Sequence, residues 1–156
     1  GKGLEYVLGP VPSPIGPIVL VADGDALVGA WLPPHDALPE ERSGDPVLER
    51  AARQLAEYFE GGRREFDLPL AGPGTAFQRD VWDVLRAIPL GEVRTYGEVA
   101  AAMGRPGAAR AVGQALNKNP VCIVVPCHRV TSSTGLGGYA YGKEMKEWLL
   151  DHEQRM

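Results

Sequence analysis

Cysteine is scarce in this chain: Cys122 and Cys127 are the only two in 156 residues. Five positions apart, they make no disulfide framework, which excludes a stapled secreted scaffold and points to a reducing, intracellular setting. Histidine is nearly as rare, and His35 is the only one ahead of His128. With no cysteine before Cys122, a tetrahedral zinc site in the first half cannot be built. Cys122, Cys127, His128 and His152 match no common ligand spacing, so no metal and no other cofactor is expected. No apolar run nears the roughly 18 residues of a membrane span, and no charged-then-apolar leader reads as a signal peptide. The expectation is a cytoplasmic protein with no membrane partner.

A strong charge of either sign is missing as well. The formal net charge of -4 argues against a nucleic-acid partner until it is divided. Residues 1–74 hold 6 Lys/Arg and 12 Asp/Glu, whereas residues 75–156 hold 10 and 8. Any affinity for phosphate therefore belongs to the C-terminal half.

The pattern that is present divides at the same place. Leu4–Leu8, Pro17–Ala22 and Ala26–Leu32 are apolar runs that predict strands, with Asp23-Gly24-Asp25 as a hairpin turn. Pro33–Gly44 reads as a loop. Asp45-Pro46 supplies an N-cap and a first-turn proline for a helix whose apolar face is Val47, Leu48, Ala51, Leu55, Tyr58 and Phe59, ending at Gly61-Gly62. Phe66, Leu68 and Leu70 alternate as a further strand. Ala71-Gly72-Pro73-Gly74 has linker composition, which sets the expected domains at 1–74 and 75–156.

The second half predicts mostly helix. Thr75–Gln78 and Thr95–Glu98 are capping boxes. The first opens a helix with the stripe Phe77, Val81, Trp82, Leu85 and Ile88; the second opens one running to Met103. Gly104-Arg105-Pro106-Gly107 breaks the chain before a third helix, Ala108–Asn117. Helix, glycine-containing turn and helix is the outline of a helix-turn-helix or of a plain helical hairpin. The start of the second helix, Ala108-Ala109-Arg110-Ala111, has almost nothing with which to read base edges, so any DNA docking would be independent of sequence. Val121–Val125 is a strand-like run leading to a loop, and Lys143–Gln154 closes the chain as a helix.

Cys127 and His128 stand side by side in that loop, in Pro126-Cys127-His128-Arg129-Val130. A thiolate is the strongest common side-chain nucleophile, and histidine is the side chain best suited to form one at neutral pH. Alone, the pair fits a buried structural cysteine better than a catalyst, and a cysteine hydrolase is the rival catalytic reading. Taken with Ala109–Gly113, Asn119-Pro120, Gly137-Gly138-Tyr139, Lys146–Leu150 and His152-Glu153, in order and spacing, the motif resembles the O6-alkylguanine-DNA alkyltransferases (methylated-DNA–protein-cysteine methyltransferases). The likeness is close across the C-terminal half and looser before it.

The resemblance implies an α/β N-terminal domain of ribonuclease-H-like shape, a small antiparallel sheet plus a helix. It implies a mainly α C-terminal domain with a winged helix-turn-helix. The activity implied is single-turnover repair: alkyl transfer from guanine O6, or thymine O4, of a flipped-out base in double-stranded DNA to Cys127. The partner is DNA bound with little sequence preference, and the protein is expected to be a monomer in a prokaryotic cytoplasm. A non-catalytic alkylated-DNA-binding relative would lack the cysteine.

By the same resemblance Glu153, His128 and a water relay charge to Cys127, since adjacent side chains in an extended loop point to opposite sides. Tyr96 donates to guanine N3, and Arg110 fills the space of the flipped base. Thr95, Ala108, Ala109 and Gly113 share the DNA surface. Asn119 ties the helix-turn-helix to the cysteine loop, and Val130, Tyr139, Ala140 and Tyr141 border the pocket. Ala140 and Tyr141 depart from the small polar residue and glycine usual in that family, and Tyr141 is expected to restrict bulky O6 substituents.

Overall fold

The computed structural model describes residues 5–36 and 45–156, with side chains from Val11 onward. Leu4 and residues 37–44 of the expected loop lie outside the described residues. Two compact units result, one running through Gly72 and including Pro120–Cys122, the other comprising Pro73–Asn119 and Ile123–Met156. The first unit ends at Gly72, slightly before the expected boundary at Gly74. The short return of the chain to the first unit at 120–122 is not visible in composition.

The first unit is a three-stranded antiparallel sheet in the order β1 (Glu5–Val11), β2 (Ile18–Asp23), β3 (Ala26–Trp31). The β2–β3 hairpin closes with Asp23 opposite Ala26, and Gly24 supplies the positive φ of 64° needed at the first central position. Helix α1 (Pro46–Phe59) starts where the carboxylate of Asp45 accepts from the amides of Val47 and Leu48. Its buried face is Leu48, Ala51, Gln54, Leu55 and Tyr58, so Gln54 replaces the expected Val47 and Phe59. Gln54 is tolerated there because its amide donates to the Asp67 carbonyl and accepts from the Asp67 N–H, each at 3.0 Å.

That pairing also explains why Phe66–Leu70 is not a strand. Gln54 occupies both backbone groups of Asp67, and Pro69 has no N–H to offer a ladder. Only a single parallel bridge, Leu27 to Leu70, remains. The expected strand Val121–Val125 is likewise interrupted. Val121 bridges Ala30, then Ile123 turns the chain with φ of 72°, the one non-glycine in the left-handed region among the described residues. A buried β-branched residue holds that strained conformation only where its surroundings impose it.

The second unit contains α2 (Ala76–Arg86), α3 (Tyr96–Ala102), α4 (Ala109–Leu116) and α5 (Lys143–Gln154). Both capping boxes are complete, Thr75 with Gln78 and Thr95 with Glu98. The first helix stops at Arg86, short of Ile88, although Ile88 remains buried. Two strands not evident in the sequence, β4 (Arg94–Thr95) and β5 (Val130–Thr131), pair in parallel. Ser132 and Gly135 form a further bridge just after β5.

Candidate active site

The β4–β5 pairing assembles the site. It sets Arg94 opposite Val130 and Thr95 opposite Thr131. Tyr96, the first residue of α3, is thereby brought next to the segment that follows Cys127. Thr95 is the N-cap of α3: its hydroxyl accepts from the Glu98 amide, and its own N–H donates to the Glu98 carboxylate. The DNA-facing residue expected at this position thus also starts a helix.

Cys127–Arg129 form one turn of 3-10 helix, not the extended loop expected. At three residues per turn, successive side chains diverge by about 120°. Cys127 consequently lines a pocket while His128 is fully buried behind it. The Nε2 of His128 lies 2.6 Å from Glu153 Oε2. Arg129, which sequence reasoning gave no role, grips the same carboxylate: its Nε donates to Oε1 at 2.8 Å and an Nη to Oε2 at 3.2 Å. Its other Nη donates to the Ile88 carbonyl at 2.8 Å, tying the site to the end of α2.

Burial holds the His128 imidazole below its ordinary pKa, against the opposing pull of Glu153, so the ring is neutral at pH 7. Burial alone would raise the pKa of Glu153, but the hydrogen bond from His128 and the hydrogen bonds and charge of Arg129 outweigh that and hold it well below the usual carboxylate range. A carboxylate accepting at Nε2 places the ring proton there. Nδ1 keeps its lone pair, and this buried atom meets no protein partner among the described residues. The result is a neutral, oriented base.

Asn119 is buried and donates through Nδ2 to the Val125 carbonyl at 2.8 Å and to Cys127 Sγ at 3.3 Å. The expected tie between helix-turn-helix and cysteine loop therefore includes a contact to the sulfur itself. A hydrogen bond to sulfur favours its charged form.

The pocket beside Cys127 measures about 230 Å³ and is lined by Tyr96, Arg110, Gly113, Gln114, Leu116, Asn117, Cys127, Gly138, Tyr139 and Ala140. On α4 and its C-cap, Arg110, Gly113, Gln114 and Asn117 fall at i, i+3, i+4 and i+7, one helical face. Gln114 and Asn117 escaped sequence reasoning, though that spacing from Arg110 would have found them. Ala108 is the N-cap of α4, and no side chain caps this helix. Tyr96 Oη accepts from the Gly138 amide at 3.1 Å, with Gly137 (φ of 77°) packed beneath it.

Three expected pocket residues sit elsewhere. Val130 is fully buried, and its carbonyl accepts from Lys146. Asn119 lies behind the sulfur. The Tyr141 ring packs against Tyr139 with centroids 5.8 Å apart and does not line the cavity. Any effect of Tyr141 on bulky substituents is therefore indirect. No group of three metal-ligating side chains occurs among the described residues, and His35 instead contacts the Pro17 carbonyl at 2.8 Å.

A helix-turn-helix protein with a cysteine-centred pocket is the class that fold and site define. Residues 76–155 match the family model for the 6-O-methylguanine DNA methyltransferase DNA binding domain, and residues 7–71 match that family's ribonuclease-like domain. The methylated-DNA–protein-cysteine methyltransferase of Methanosarcina acetivorans is 46% identical, over 90% of this chain and 94% of its own. That of Salmonella typhimurium is 44% identical over 92% of each. The crystal structure of Mycobacterium tuberculosis OGT in complex with DNA superposes with a TM-score of 0.86 at 41% identity, covering 96% of this chain and 93% of that one. The chain belongs to the 6-O-methylguanine DNA methyltransferase family.

Proposed function

We propose that this protein repairs alkylated DNA by moving the alkyl group from guanine O6 to its own Cys127, once per molecule. One observation carries the assignment of roles: the Cys127 thiol faces the pocket while a neutral His128, clamped by Glu153, stands behind it with Nδ1 able to accept a proton. The adjacent rings and helices give the pocket a place for a flipped base.

The thiol proton passes through a water to His128, and Glu153 supports the imidazolium that forms. The thiolate attacks the alkyl carbon in line, the carbon–O6 bond breaks, and its electron pair returns to the purine. The Oη of Tyr96 accepts from Gly138, so its proton is directed elsewhere, toward N3 of the leaving purine. The S-alkyl thioether has no hydrolytic escape, which makes the reaction stoichiometric. Thymine O4 adducts offer the same chemistry.

On the docking side, small residues at the uncapped start of α4 allow close backbone approach to DNA. Arg110, exposed at the pocket edge, takes the space the base vacates. Ala108, Ala109, Thr95 and Gly113 complete a surface with few base-reading groups, which suits a protein that must find a lesion and not a sequence. On this reading it acts as a monomer in the prokaryotic cytoplasm.

Replacing the nucleophile tests the assignment. Cys127→Ser abolishes methyl uptake from O6-methylguanine DNA and retains duplex affinity within a few fold. Methyl uptake by Cys127→Ser at the parent rate would refute the role of the thiolate.

A further inference from the structure

Lys146 is fully buried, yet its hydrogen bonds go to backbone carbonyls: Nζ donates to Val130 O at 2.6 Å and to Gly138 O at 2.9 Å. Among the described residues no carboxylate lies within ion-pair distance of it. A buried ammonium without a carboxylate is costly, and an apolar side chain of similar length would avoid the cost. The two carbonyls belong to the two segments that flank the reaction. Val130 follows the Cys127–Arg129 turn, and Gly138 lies in the glycine loop. Gly138 also donates its N–H to Tyr96 Oη. Lys146 and Glu153 are seven residues apart on α5, two turns along one face, so this helix brings an anion to the side chains of His128 and Arg129 and a cation to the carbonyl of Val130, the next residue.

Resting on the function proposed above, we propose that Lys146 is a positioning residue: its ammonium clamps the cysteine turn to the glycine loop, keeps Tyr96 oriented through Gly138, and favours the thiolate form of Cys127. Burial lowers the Lys146 pKa to about 8, and Cys127 opposes that shift. The attraction is mutual, so what keeps the lysine charged also favours the thiolate. The same charge presses on His128 and helps keep it neutral.

Three substitutions separate charge from scaffolding. Lys146→Gln keeps donors for both carbonyls and drops the charge, Lys146→Met drops both, and Lys146→Arg keeps both. The readout is the pH profile of Cys127 alkylation by iodoacetamide in the DNA-free protein, followed by fragment masses of the peptide that holds Cys122 and Cys127. The midpoint is expected to rise by roughly one pH unit in Lys146→Gln and Lys146→Met, and to stay with the parent in Lys146→Arg. A Lys146→Gln midpoint equal to the parent's overturns the proposal, because scaffolding alone would leave it unmoved. Should Lys146→Met fail to fold, the Gln and Arg variants still decide. A parent that takes up no methyl from damaged DNA would sink the function while leaving this profile to judge Lys146.

Discussion

His128 and Glu153 form a buried pair whose two members differ in charge state. Burial keeps the imidazole neutral, and the Arg129 guanidinium supplies the positive charge that the Glu153 carboxylate needs beside it. A neutral His128 is ready to accept a proton, whereas a permanently charged one is not. This arrangement has a consequence for stability. In the unfolded chain His128 takes its proton near 6.5, but in the folded protein its pKa lies lower. Between those values the unfolded state binds more protons, so stability present above 6.5 is lost as pH falls. The expected slope is up to about 1.4 kcal/mol per pH unit. Urea unfolding from about pH 7.5 to about pH 5 measures it, and the slope is expected to flatten in His128→Gln. An unchanged slope would show that the imidazole is not buried neutral.

At the scale of elements, the glycine loop makes a sharp contrast between two neighbours. A Cβ on Gly137 would sit 2.8 Å from Tyr96 Oη and 3.0 Å from the Ser132 amide nitrogen, and its φ of 77° disfavours any side chain. A Cβ on Gly138 would meet nothing within 4 Å. Gly137→Ala is therefore expected to cost about 1–3 kcal/mol and to slow methyl uptake at least tenfold by displacing Tyr96. Gly138→Ala should leave stability within about 0.5 kcal/mol of the parent. Single-turnover kinetics and denaturation of both variants check this, and equal losses would contradict it.

The same scale separates what was legible in the residues from what was not. Capping boxes at Thr75 and Thr95 are written within four residues, so the starts of α2 and α3 could be placed from sequence. Phe66–Leu70 has the alternation of a strand, but its fate depends on Gln54, thirteen positions before Asp67. The Val121–Val125 run fails as a strand because its first residues pair with β3 and Ile123 then turns away. Cys127 and His128 were visible as a motif. Arg129 and Lys146 were not given roles, because their partners lie 24 and 16 residues away and include bare carbonyls, which carry no sequence signal.

For the whole molecule, the central consequence is that repair consumes the protein. Cys127 is almost wholly buried with Asn119 3.3 Å from its sulfur, and the alkyl group it takes up stays on that sulfur as a thioether. The most direct measurement mixes the protein with excess duplex carrying O6-methylguanine and follows intact and fragment mass. The account predicts a gain of one methyl group per molecule, located on Cys127 and absent from Cys122, with one guanine restored for each protein consumed and no second round. Continued turnover with an unmodified Cys127, as a hydrolase would give, would contradict it.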